Sequence, residues 1–254
     1  MNVDEAAGVN RTIVQECIRE EAEGAILFDV GVSPQVDADW FDPDHWRRHG
    51  VLRRQLGGRG GVAIVDTPAG ECVLRHYRRG GSVAVLLGDR YLWTGAAHTR
   101  GFAEFRLLAT IVSLGLPGPH PVAVRYVRRG FFYTADLITR RIAEATTLAE
   151  QLAQGRLDAQ LAEEVGVLVA RFHREGIWHA DLNAHNVLVS PAGLHLLDFD
   201  RGRIRAEASG WRMANLQRLR RSLLKLGAAD GGLAPFEQAI WTPLMAGYER
   251  TFSA

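Results

Sequence analysis

The segment His179-Ala180-Asp181-Leu182-Asn183-Ala184-His185-Asn186-Val187-Leu188-Val189 decides how this chain is read. A carboxylate and an amide five residues apart, Asp181 and Asn186, are followed by an apolar run that suits a strand. A second apolar run, Leu194–Leu197, ends in Asp198-Phe199-Asp200. Moving a phosphoryl group needs a carboxylate that orients an attacking hydroxyl and accepts its proton. It also needs oxygen ligands for a magnesium ion that bridges the phosphates. Asp181 is the candidate for the first task, and Asn186 and Asp198 for the second.

The pattern is that of the kinase catalytic loop, H-x-D-L-x-x-x-N, with Asp198-Phe199-Asp200 standing where D-F-G stands. Asp158–Arg174 precedes the loop and reads as an amphipathic helix, with Leu161, Val165, Leu168 and Phe172 on one stripe. Thr147 and Glu150 form a capping box for a shorter helix before it. Further helices are expected near Trp211–Leu226 and over Phe236–Phe252, the latter interrupted by Pro243.

Upstream the chain reads as strands: Ala25–Val30, Val51–Leu56, Val62–Val65, Glu71–Tyr77, and a hairpin of Val122–Val127 with Phe131–Ile138. A short helix over Phe41–His49 and a longer one over Gly101–Leu114 break the series. The fold class is therefore α+β, a two-lobed protein-kinase-like fold with a small strand-rich N-lobe and a helical C-lobe. Residues 1–24 are expected to be an N-terminal extension, 25–139 the N-lobe and 140–254 the C-lobe.

Within the N-lobe, the glycine-rich turn at 57–61 resembles the loop that covers ATP phosphates with backbone N–H groups, and makes Gly58 and Gly60 candidates. Arg75 occupies the strand position of the usual phosphate-pairing lysine, and Glu104 on the next helix is its candidate partner. Arginine pairs bidentately with phosphate, whereas lysine acts as a point charge. A surface arginine and a surface glutamate remain the alternative. Asn183 either hydrogen-bonds the transferring phosphoryl group or braces the loop, and His179 is expected to support the loop.

Ala180 stands where an arginine would read activation-loop phosphorylation, and 56 residues follow Asp198 without an A-P-E motif. A small-molecule or lipid-linked acceptor is thus expected rather than a protein substrate. No run of 18 apolar residues occurs, and the acidic, polar start is not expected to be a secretory signal. Cys17 and Cys72 form no metal or redox motif and suit a reducing compartment.

The formal net charge of +1 hides an asymmetry: seven acids lie in residues 1–29, and eight bases in residues 201–225. The basic block suits an anionic lipid or phosphate more than a cationic aminoglycoside. It contains Lys225, the only lysine of the chain.

The segments GRGG (58–61), CVLRHYRRGG (72–81), RYLWTGAAHTRGFAEFRLL (90–108), HADLNAHNVL (179–188), LLDFDRGRIR (196–205) and NLQRLRRSLLKL (215–226) together resemble the lipopolysaccharide kinase family. That family includes the 3-deoxy-D-manno-octulosonic acid (Kdo) kinases and the core heptose kinases. The resemblance implies ATP-dependent, Mg2+-dependent phosphorylation of the 4-hydroxyl of Kdo on a Kdo-lipid A precursor. It places the enzyme peripherally on the anionic cytoplasmic face of the inner membrane, with no nucleic acid partner. It makes Asp181 the catalytic acid, places Asn186 and Asp198 on magnesium, and sets Arg75 and Glu104 near the phosphates. Three other readings stay open on the residues: a heptose kinase, an aminoglycoside-type phosphotransferase, and a non-catalytic pseudokinase motivated by the missing lysine.

Overall fold

Alternation along Gly24–Asp29 (β2) sends Ile26 and Phe28 to one face of a sheet and Ala25 and Leu27 to the other, and all four are buried. A strand apolar on both faces belongs in the middle of a covered sheet. In the computed structural model, which describes residues 13–56, 61–78, 88–206 and 209–253, β2 lies between Glu16–Glu21 (β1) and Pro121–Arg129 (β7). The antiparallel order continues through Phe132–Arg140 (β8), Gly70–His76 (β5), Val62–Thr67 (β4) and Leu52–Leu56 (β3), with Tyr91–Leu92 (β6) pairing β8.

The expected extension over residues 1–24 thus contains β1. Its sequence ECIREE offers an apolar residue only at Cys17 and Ile18, which suits a half-exposed edge strand and hides it from a search for alternating hydrophobics. The expected helix over Phe41–His49 begins later, as Pro43–Arg48 (α1), after a 3₁₀ turn at Ala38–Phe41. Asp42 caps it by accepting the Asp44 N–H, and Pro43 occupies the first turn, where no backbone donor is needed. This segment lays Trp40, Phe41 and Trp46 on the outer face of the sheet, over Ile26, Phe28 and Val65.

Arg100–Ser113 (α2) covers the inner face, with Phe102, Phe105 and Leu108 buried against Leu27, Val124 and Leu137. The same apolar core runs on into the helical lobe. There Leu148–Ala153 (α3) carries the expected Thr147–Glu150 capping box, and Asp158 caps Ala159–Arg174 (α4).

Strands Ile177–Trp178 (β10), Val187–Ser190 (β11), Gly193–Leu196 (β12) and Arg203–Ile204 (β13) hold the motif loops, with Thr146–Thr147 (β9) completing the β11 sheet. Ser209–Lys225 (α5) lies along these loops. The chain ends in Leu233–Phe236 (α6), a π-helical turn at Glu237–Trp241 and Thr242–Ser253 (α7). Pro243 does not break this last helix, because it falls in the first turn of α7 directly after the π turn.

Candidate active site

His179 follows β10 and is buried, and its two ring nitrogens set the course of the loop. Nε2 donates to the Leu197 carbonyl at 2.7 Å, while Nδ1 accepts the Asp181 N–H at 3.1 Å. This pairing requires a neutral ring, and burial pushes the His179 pKa down accordingly. Asn186 Nδ2 donates to the Asp181 carbonyl at 2.9 Å, which closes the turn and leaves Oδ1 of Asn186 to face elsewhere. Asn183 Nδ2 donates to Asp181 Oδ2 at 3.0 Å, so in this structure the Asn183 amide braces the carboxylate.

Helix α5 splints the same loop at three successive turns. Asn215 exchanges two hydrogen bonds with the His179 backbone, at 2.8 and 3.2 Å. Arg218 Nη1 donates to Asp181 Oδ1 at 2.9 Å, and Ser222 Oγ accepts the Ala184 N–H at 3.1 Å.

Asp198 lies opposite, at the end of the strand segment that leads into the second motif. Its φ of +58° is in the left-handed region, which costs a non-glycine residue about 1–3 kcal/mol and recurs at functional sites. Arg75 on β5 bridges Asp198 Oδ1 at 2.5 Å and Glu104 Oε1 on α2 at 2.6 Å, and Tyr77 donates to the other Glu104 oxygen at 2.6 Å. Arg75 and Glu104 are therefore an ion pair inside the cleft rather than two surface residues. Burial raises the Glu104 pKa, and the adjacent Arg75 opposes that rise. Burial alone would lower the Arg75 pKa, but Glu104 and then Asp198 outweigh it and hold the guanidinium charged.

Phe199 is fully buried and stacks on Phe172 of α4 with centroids 5.6 Å apart. Asp200 pairs with Arg100 at the start of α2, Nε to Oδ1 at 2.8 Å. Sequence reading missed this second tie. Its only trace there is an acid at the third motif position, and the partner lies a hundred residues away.

Two cavities meet at Asp198. One, of about 430 Å³, is walled by Val62, Ile64, Val73, Leu137, Leu188 and Leu197, with Arg75, Glu104 and Asp198 at its end. The half-buried positions of β4, Val62 and Ile64, face it, which is the alternation signal for this wall. The other, of about 310 Å³, opens between Asp181, Asp198, Asp200, Arg201 and Arg218.

The structure thus brings Asp181, Asp198, Arg75 and Glu104 around one cleft, with Asn183 and Asn186 tied to Asp181 on the catalytic loop. Gly58 and Gly60 lie outside the described residues, between the strands β3 and β4. Of the basic residues directly after the second motif, Arg201 reaches the cleft, whereas Arg203 lies exposed on β13. Arg78 lines a separate cavity with His76, Asp89 and Asp136, and Arg79 is outside the described residues.

The donor chemistry fits a magnesium ion. Asp198 Oδ2 and Asn186 Oδ1 are the available oxygens, and no cluster of three or more His, Cys, Asp or Glu side chains suited to a metal occurs among the described residues. A nucleotide-dependent magnesium site needs no such cluster, because phosphates and water complete its octahedron.

A strand-rich lobe over a helical lobe, with a nucleotide-sized cleft and an Asp–Asn–Asp set where they meet, defines a kinase of the protein-kinase-like fold. The chain belongs to the lipopolysaccharide kinase (Kdo/WaaP) family, whose model matches residues 43–248, and it is a phosphotransferase. It is 48% identical over 214 residues to a 3-deoxy-D-manno-octulosonic acid kinase of Stenotrophomonas maltophilia (strain R551-3), covering 83% of this chain and 84% of that one. It is 50% identical over 207 residues to the protein of that name from Xanthomonas axonopodis pv. citri (strain 306), covering 80% and 81%. In fold it is similar to a solved structure described as WaaP in complex with acyl carrier protein, with a TM-score of 0.50 and 17% identity over 80% of each chain.

Proposed function

We propose that this kinase uses ATP and Mg2+ to phosphorylate the 4-hydroxyl of Kdo on a lipid A precursor, working peripherally at the cytoplasmic face of the inner membrane. The observation that carries the reaction is the position of Asp198, shared by an apolar cleft on one side and a polar opening on the other that contains Asp181, Asp200, Arg201 and Arg218. The acceptor rests on the name borne by relatives about half identical to this chain.

The apolar walls take the adenine ring, and Arg75, fixed by Glu104, lies against the phosphates. Asn186 and Asp198 would hold the magnesium ion, which when bound supplies positive charge to the phosphate oxygens. Arg75 and Asp198 touch each other in the free protein, so Arg75 would have to release Asp198 to give that nitrogen to a phosphate. Asp181 receives the sugar hydroxyl on one carboxylate oxygen and takes its proton as the O–P bond to the γ-phosphorus forms and the β–γ bridging bond breaks. Asn183 and Arg218 hold the carboxylate in register for that transfer.

No described helix is long and apolar enough to cross a membrane. Attraction to anionic lipid suits the basic residues Arg201 and Arg203, which have no acidic partner among the described residues. Others of the basic block are engaged. Arg205 covers Trp178 at 4.0 Å, Arg212 covers Phe252 at 4.7 Å, and Arg220 pairs with Glu237.

The test is incubation of the purified protein with Mg-ATP and a Kdo-lipid A precursor, beside a core heptose acceptor and an aminoglycoside. One added phosphoryl group on Kdo, located at O4 by NMR, is expected. Efficient transfer to the heptose with none to Kdo would keep the kinase and replace the acceptor.

A further inference from the structure

Positions 218, 221 and 225 recur at i, i+3 and i+7, so Arg218, Arg221 and Lys225 share one face of α5. That face borders a groove of about 480 Å³ that begins at Asp181 and runs past Asn183 and His185 toward the end of the helix. Of the three cations only Arg218 meets a carboxylate, that of Asp181. Arg221 and Lys225 are exposed in the groove and pair with no acid among the described residues. The helix that carries them is anchored to the catalytic loop through Asn215 and Ser222, so their distance from the base is fixed by secondary structure. Three cations leading away from a proton acceptor, two of them uncompensated, form a site for an anion displaced from the reacting hydroxyl.

We infer that Arg221 and Lys225 bind an oxyanion of the acceptor, a sugar carboxylate or a phosphate monoester, and so set acceptor specificity. This rests on the reading above that the acceptor is an anionic glycolipid. It assigns the groove along α5 to acceptor recognition. Arg218 plays a different part as a positioning residue, since its guanidinium already holds Asp181.

The experiment has a kinetic readout and a binding readout. Replacing both groups, as Arg221→Ala with Lys225→Ala, is expected to raise KM for the Kdo-lipid A precursor about tenfold, the scale of one lost charge-assisted contact. kcat and KM for ATP should stay unchanged, and Lys225→Arg, which keeps the charge, should leave KM for the precursor near the wild-type value. Free Kdo, which carries the carboxylate and no phosphate, separates the sources. A loss confined to the phosphorylated acceptor identifies a phosphate ligand, and a loss with both identifies the carboxylate.

Because Lys225 is the only lysine in the chain, its acylation by an amine-directed reagent reads out on a single lysine-containing peptide. The precursor should protect it, and inorganic phosphate should do so at higher concentration. If the wild-type protein fails to phosphorylate Kdo yet Lys225 is protected by these anions, the acceptor reading falls and the anion site stands. Unprotected Lys225, with unchanged acceptor KM in the double variant wherever turnover is measurable, would overturn the site.

Discussion

Arg75 has two carboxylates to serve and one guanidinium with which to serve them. Its planar fork gives one nitrogen to Glu104 and the other to Asp198, a division that the single ammonium of lysine does not reproduce. Arg75→Ala would leave Glu104, which is 3% exposed, without its counter-charge, and removing one partner of a buried pair typically costs about 3–5 kcal/mol. Arg75→Ala is therefore expected to weaken nucleotide binding and lower the melting temperature together. Arg75→Lys should recover part of the binding, and titration calorimetry with Mg-ATP beside thermal unfolding checks both. Wild-type nucleotide affinity in Arg75→Ala would place the phosphate clamp elsewhere.

At the scale of elements, α4 and α7 meet where neither has a side chain to spare. A Cβ on Gly166 of α4 would run into the Leu244 carbonyl and the Tyr248 N–H of α7, and one on Gly247 would run into the Glu163 carbonyl. Backbone cannot yield as the end of a flexible side chain does. Gly166→Ala is therefore expected to destabilise the protein by about 1–3 kcal/mol despite its better helix propensity, as measured by denaturant unfolding. A neutral or stabilising result would mean that the two helices separate freely.

Elements also differ in how legible they were. The capping box of α3 and the catalytic loop could be read because their signals are local: a residue and its partner three to five positions on. The edge strand β1 was illegible because ECIREE lacks an apolar face, and its pairing with β2 is what makes it a strand. The basic helix α5 was only partly legible, for a subtler reason. Composition marks it as a charged block for lipid, yet Arg212 and Arg220 cover aromatic rings and Arg218 holds the catalytic-loop carboxylate. Charge can be counted from sequence, whereas the face on which each charge falls depends on what the helix packs against. The same limit applies to Asp200 and Arg100, an ion pair that only the docking of α2 on the second motif brings together.

Over the whole molecule, His173 joins three helices of the lower lobe: it sits on α4, its Nδ1 meets the Tyr248 hydroxyl of α7 at 2.9 Å, and its Nε2 faces Asn215 of α5. Burial, with smaller contributions from Arg212 and His179, pushes its pKa down to about 4, while the Asn215 contact works against the shift. Between pH 4 and the unfolded value near 6.5 the unfolded chain carries the extra proton, so stability rises with pH across that window and levels off above it. The contribution reaches about 3 kcal/mol at most. His76, raised by its Asp136 partner, and the buried Glu104 shift the other way, so His173 is isolated by comparison with His173→Gln. Denaturant unfolding at pH 5 and pH 7.5 should show a wider gap for the wild type than for the variant, and equal gaps would remove His173 from the pH response.

The proposed lipid attraction is also a matter for the molecule as a whole. Binding to anionic vesicles should fall as salt rises, at about 1 kcal/mol per basic residue near the surface. Neutralising Arg203 should weaken it, because Arg203 is exposed and has no acidic partner among the described residues. Salt-insensitive binding would point to apolar insertion.

All of this turns on whether Asp181 takes the proton of a Kdo hydroxyl as phosphate is transferred. Asp181→Asn keeps the shape of the side chain, with its contacts to Asn183 and Arg218 as neighbours, and removes the basic oxygen. The direct measurement is single-turnover transfer of the γ-phosphoryl group from labelled Mg-ATP to a Kdo-lipid A precursor, for the wild type and for Asp181→Asn. Label on Kdo in the wild type, a rate lower by about 10²–10⁴-fold in the variant, and nucleotide binding retained in both is the expected result. Transfer to Kdo at an undiminished rate in Asp181→Asn would contradict it.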